Sequence, residues 1–91
     1  MKLSEKIRSI REAEGLSQAK FCEVIGLSPN TLRKYELGSY EPSGLNLVKI
    51  TQHPQFEKYT LWLMTDKTAP EAGQIAPAIA HIGQEKITST R

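Results

Sequence analysis

Cys22 is the only thiol in this 91-residue chain, so an intramolecular disulfide has no second partner. The N-terminus carries no basic, apolar and small-residue leader, and the expected compartment is therefore a reducing cytoplasm. No uninterrupted apolar run approaches the roughly 20 residues needed to cross a bilayer, which argues against a membrane partner. His53 and His81 are the only imidazoles, and with one cysteine they form no spacing that resembles a zinc site. Paired carboxylates and a nucleophile-base pair are also missing, so neither an enzyme nor a cofactor is expected. Excess charge is small: the net charge is +2 with a pI near 8.8, which permits an anionic partner without demanding one. What is present is the composition of a folded, soluble chain, 38% hydrophobic and 24% charged, with one domain's worth of length.

The small positive excess is localised. Residues 1–38 hold Lys2, Lys6, Arg8, Arg11, Lys20, Arg33 and Lys34 against five glutamates, and the remainder is balanced. Through residue 64 the pattern is one of short helices separated by punctuation. Leu3, Ile7 and Ile10 fall on one helical stripe that Gly15 and Leu16 close. Ser17 caps a second helix carrying Phe21, Cys22 and Ile25, which Gly26 ends. Ser28 caps a third, which opens on Pro29 and closes at Gly38. Only Gly26, Leu27 and Ser28 separate the second and third helices, so the two must cross steeply.

Ser43 can cap a fourth helix carrying Leu45 and Val48, with Leu47 and Ile50 as further apolar positions, before Pro54 ends it. The alternation of Leu45, Leu47 and Lys49 also fits a strand, but a short one without a hairpin partner. A fifth helix is expected from about Gln55 to Thr65, with Phe56, Tyr59, Trp62 and Leu63 as core. Beyond it Pro70, Gly73, Pro77 and Gly83 break the pattern, so the domains are read as 1–65 plus a tail or linker over 66–91. Ile75, Ile79 and Ile82 permit a short amphipathic helix starting near Pro77 in that tail, as a dimerisation element.

From Gln18 to Leu37 the residues QAKFCEVIGLSPNTLRKYEL meet the geometric needs of a helix-turn-helix. Phe21, Ile25, Leu32 and Tyr35 supply buried contacts, Leu27 plugs the turn, and Cys22 is the small residue where two helices approach. Together with the "GLSQAKF" opening of helix two, the "IGLSPNTLRKYE" core and the later "LWLM" helix, the segment from Leu3 to Met64 resembles the Cro/CI-type, XRE-like phage repressor family. The resemblance implies an all-α, five-helix lambda-repressor-like DNA-binding domain with a C-terminal tail. Its implied setting is the bacterial cytoplasm, nucleoid-associated when bound.

Successive helical residues lie about 100° apart, which resolves the third helix into faces. With Leu32 at zero, Tyr35 and Glu36 fall within about 60° and turn to the bundle, whereas Asn30 and Lys34 lie at about 160° and about 200°. Thr31 and Arg33 flank that outward face. In a major groove Asn30 suits adenine, Lys34 suits guanine, and Thr31 suits a thymine methyl or the backbone. Arg33, to one side, suits a phosphate. Ser17, Gln18 and the first amides of helix two make an anion site, and the resemblance also implies a phosphate role for Gln18. Ser39 and Tyr40 offer hydroxyls and amides to a second phosphate. The resemblance further implies an ion pair between Arg11 and Glu36.

The expected function is sequence-specific transcriptional regulation, with a homodimer on double-stranded DNA at a pseudo-palindromic operator. The rival is an antitoxin-type interaction module whose residues 66–91 bind a toxin or another protein, with DNA binding secondary. The Ala72–Gly73 pair matches the cleavage point of self-cleaving repressors, but no serine-lysine peptidase domain follows it.

Overall fold

Among the described residues, three serines start three of the five helices by the same local device. In the computed structural model, which describes residues 1–78, Ser17, Ser28 and Ser43 accept hydrogen bonds from the amides of Lys20, Thr31 and Asn46, each at 3.1 Å. Each serine is extended and satisfies one of the amides that a helix start leaves open. The helices are α1 (Leu3–Ala13), α2 (Gln18–Ile25), α3 (Pro29–Leu37), α4 (Gly44–Thr51) and α5 (Thr60–Thr65). A 3-10 turn over Glu57–Tyr59 leads into α5.

Gly26 and Gly38 stop α2 and α3 with φ of 74° and 79°, a left-handed backbone that side chains with a Cβ resist. At the first stop both Gly26 and Leu27 donate to the carbonyl of Cys22, so the chain turns sharply into Ser28. Lys49 of α4 tightens this turn by donating to the Gly26 carbonyl at 3.1 Å. The short connection sets α3 against both α1 and α2, and Ile7, Ile10, Phe21, Ile25 and Leu32 close into one core with Phe56, Trp62 and Leu63.

The apolar stripe of α4 differs from expectation. Leu45 and Val48 are 70% and 42% exposed, while Ile50 is buried and Leu47 packs against the core. Asn46 Nδ2 bonds Tyr35 Oη at 2.7 Å, which fixes the rotation of α4 and turns the Leu47 and Ile50 side inward. His53 is half-buried. Its Nδ1 accepts from the Gln55 amide at 3.1 Å, and its ring lies 4.9 Å from that of the buried Phe56.

Nor does the chain leave the domain at residue 65. Residues 66–78 fold back on it: Ala69 and Gln74 form an antiparallel bridge around a 3-10 turn, and Ile75 donates to the Lys58 carbonyl. The Gln74 side chain accepts from the Leu61 amide and donates to the Glu57 carbonyl, so it closes the start of α5, where no side chain of the helix caps it. Pro77 is buried and Ala76 packs on the core. The reason is satisfaction of polar backbone: a six-residue helix without its own cap takes a donor and acceptor from the following segment. The expected helix through Ile79 and Ile82 lies outside the described residues.

Glu14, just beyond α1, ties that helix to the region before α5. Its carboxylate accepts from Tyr59 Oη at 2.5 Å and Gln55 Nε2 at 3.1 Å, and Lys58 Nζ lies 3.1 Å away. Burial opposes ionisation of Glu14, but these donors outweigh it and hold the carboxyl below its ordinary value of 4.5. A carboxyl depressed by folding stabilises the fold above its unfolded pKa, and that contribution fades as pH falls through the lower, folded value. Glu14→Gln is expected to cost about 1 to 2 kcal/mol at neutral pH, and to unfold in acid with a shallower pH dependence than the parent. Urea titrations from pH 7 to pH 3 measure both, and parallel curves would assign the acid sensitivity elsewhere.

Candidate nucleic-acid interface

The third helix is presented by the elements that bury its other side. Leu32 is fully buried and Tyr35 is 5% exposed, while Asn30 and Arg33 lie open to solvent and Thr31 and Lys34 are half-buried. Asn30 sits in the first turn, and its Oδ1 is the acceptor of a long 3.4 Å contact from Arg33 Nη1. Thr31 Oγ1 lies 3.1 Å from the Ser28 hydroxyl, so its methyl is held at a defined angle beside the cap. Lys34 Nζ lies 5.0 Å from the centre of the Tyr40 ring. Asn30 and Lys34 thus lie on the side of α3 opposite Leu32, with Thr31 and Arg33 flanking them.

The start of α2 adjoins this helix through a buried charge. Glu36 has a side chain only 6% exposed, and its carboxylate receives Arg11 Nε at 2.7 Å and Arg11 Nη2 at 3.0 Å. Arg11 Nη1 also donates to the Leu16 carbonyl at 2.9 Å, so the guanidinium clasps the ends of α1 and α3 together. Hydrogen bonding to Glu36 raises the Arg11 pKa, with burial acting against it. Glu36 Oε1 takes one further bond, from Gln18 Nε2 at 3.0 Å. One N–H of the Gln18 amide is thereby fixed, which leaves the second beside the opening of α2. Ser17 serves the Lys20 amide, while its own hydroxyl hydrogen and the Gln18 and Ala19 amides remain at the helix start.

The loop after α3 has less to offer a ligand from its backbone than its sequence suggests. The Ser39 amide donates to the Lys34 carbonyl at 2.9 Å and the Gly38 amide to Tyr35, so both are spent closing the helix. The Ser39 side chain is exposed, as is Tyr40. Cys22 is 2% exposed, and burial pushes its thiol pKa up, with the Glu36 charge adding to the effect. A thiol so placed stays protonated and packs as a small apolar group.

Two cations of residues 1–38 are absorbed internally. Arg11 serves Glu36, and Lys6, with a side chain 5% exposed, binds the carbonyls of Trp62 and Leu63 and the carboxylate of Asp66. The exposed cations that remain near the two crossing helices are Lys20 and Arg33, with the half-buried Lys34. Residue counting missed this sorting. The signal was present, because Lys6 lies three residues after Leu3 and four before Ile10, inside the apolar stripe of α1.

A short helix packed on its neighbour across a three-residue turn, with polar side chains outward, defines a helix-turn-helix DNA-binding domain. The helix-turn-helix family model matches residues 7–56. Over 87 residues the chain is 48% identical to Repressor protein C of Escherichia phage P2, covering 96% of this chain and 88% of that protein. It is also 40% identical over 50 residues to the cryptic phage CTXphi transcriptional repressor RstR of Vibrio cholerae serotype O1, covering 55% and 45% of the two chains. The chain belongs to the helix-turn-helix family of Cro/CI-type phage repressors.

Proposed function

We propose that the protein is a phage or prophage repressor that occupies an operator as a homodimer and excludes polymerase from the promoter. The observation that carries this reading is the disposition of α3: its apolar side is locked by Leu32 and Tyr35, and its outward side carries Asn30, Thr31, Arg33 and Lys34. Asn30 pairs with an adenine edge, Lys34 donates to guanine O6 and N7, and Thr31 meets a thymine methyl or the backbone. Arg33, Ser17 and Gln18 take phosphates, as does the Ser39 side chain. The Gln18 contact draws support from its bond to Glu36, which aims the amide before DNA arrives.

A single module of this size covers too few base pairs for useful selectivity, which favours two copies on half-sites about one helical turn apart in a pseudo-palindrome. The interaction-module alternative needs a free tail. Residues 66–78 are engaged with their own domain, which favours the operator reading.

Selection from random duplexes at physiological salt tests the proposal. Enrichment of two inverted half-sites supports it, a direct repeat would replace the two-fold arrangement with a tandem one, and no enrichment would end the sequence-specific reading. On the selected site, Asn30→Ala and Lys34→Ala should each lose about 1 to 3 kcal/mol of discrimination at one base pair. Gln18→Ala should weaken all duplexes alike. Equal losses on every sequence from all three variants would remove the base-reading assignments.

A further inference from the structure

Lysine is a poor reader of bases when its ammonium is free to wander, because the four-carbon stem carries considerable rotamer entropy that ordering must overcome. Lys34 is restrained at both ends. Its carbonyl accepts the Ser39 amide at 2.9 Å, and its ammonium lies 5.0 Å from the centre of the Tyr40 ring in the same loop. The loop therefore returns to the residue from which it departs. Gly38, with φ of 79° and a position a Cβ would strain, makes that return.

We propose that Tyr40 is a positioning residue for base recognition, its ring holding the Lys34 ammonium at the groove-facing side of α3. This rests on the reading of Lys34 as a base contact, and it replaces the phosphate role for the Tyr40 hydroxyl. The chemistry of the pair suits the task. An aromatic face attracts the cation without accepting a conventional hydrogen bond, so the N–H donors stay available to guanine O6 and N7. A carboxylate in the same place would take those donors and cancel the charge. At 58% exposure the ring packs little core, so its replacement leaves the fold in place.

The test uses the full chain with Tyr40→Phe, Tyr40→Leu, Lys34→Ala and the double variant Tyr40→Leu/Lys34→Ala. Each is titrated against the selected operator and against operators changed at the base pair that Lys34→Ala identifies. Tyr40→Phe is expected to keep the parent's discrimination, because the ring face remains. Tyr40→Leu is expected to lose about 2- to 5-fold of it at that one base pair, the range an exposed cation-π contact supports. In the Lys34→Ala background Tyr40→Leu should have no further effect on discrimination. If Tyr40→Phe instead weakens binding to every duplex as much as Tyr40→Leu does, the hydroxyl is the functional group and the positioning role is overturned while base reading by Lys34 stands. If Lys34→Ala alters discrimination at no base pair, the underlying assignment fails and the positioning role fails with it.

Discussion

Glu36→Ala is expected to lower the unfolding free energy by about 3 to 5 kcal/mol, a large share of the roughly 5 to 15 kcal/mol that holds a domain of this kind together. The residue sits at the junction of three elements, and its carboxylate receives two bonds from Arg11 and one from Gln18. With the carboxylate gone, the guanidinium keeps only the Leu16 carbonyl while its side chain remains 12% exposed, so a charge is left in a site that water reaches poorly. The cost lies in that orphaned charge more than in the pair itself. Arg11→Met/Glu36→Leu should therefore recover most of the loss, since removing both partners leaves an apolar contact. Thermal unfolding followed by circular dichroism would register Glu36→Ala as a fall of roughly 12 to 25 °C for a chain of this length. A fall of only a few degrees, or a double variant as unstable as the single one, would show the bridge to be a solvated surface contact.

The elements governed by neighbouring residues were legible in the sequence. Ser17, Ser28 and Ser43 cap the helices they precede, and Gly26 and Gly38 end the helices they follow, because capping and left-handed stops depend on only a few consecutive residues. The division of α3 into a buried and an outward side was legible for the same reason, its spacing being set within nine residues. What depended on distant partners was not. The rotation of α4 is set by Asn46 on Tyr35, so Leu45 and Val48 could not be told from Leu47 and Ile50 by spacing alone. Gln74 reads as a polar residue in a loop, and only the uncapped start of α5 explains why it folds back. In the interface the gap is of the same kind: the residue types facing outward on α3 were readable, whereas the Glu36 bond to Gln18 and the Tyr40 ring beside Lys34 require the folded chain.

Lys6→Met is expected to cost about 3 kcal/mol, the loss of two hydrogen bonds from a charged donor, although the substitution keeps the aliphatic stem and removes a buried charge. In the fold Lys6 Nζ reaches the carbonyls of Trp62 and Leu63, both at 3.1 Å, and thereby closes the C-terminal end of α5 from α1. Helix C-termini attract cations and leave carbonyls without partners, and α5 ends at Asp66 in a left-handed conformation with no basic residue of its own in the last turn. The ammonium also lies 5.6 Å from the Trp62 ring and 2.7 Å from the Asp66 carboxylate. Asp66 separates the two explanations. Its side chain is 56% exposed, and Lys6 holds its carboxyl below the ordinary range chiefly through their hydrogen bond. Asp66→Asn keeps a residue that tolerates the left-handed backbone and removes its exposed ion pairs with Lys6 and the N-terminal ammonium, so its stability should stay close to the parent's. Urea unfolding of the two variants decides the matter: a large loss for Lys6→Met beside a small one for Asp66→Asn assigns the stabilisation to the helix end. Comparable losses would assign it to the ion pair instead, and the lysine would then be a charge partner for Asp66 that happens to pass the α5 carbonyls.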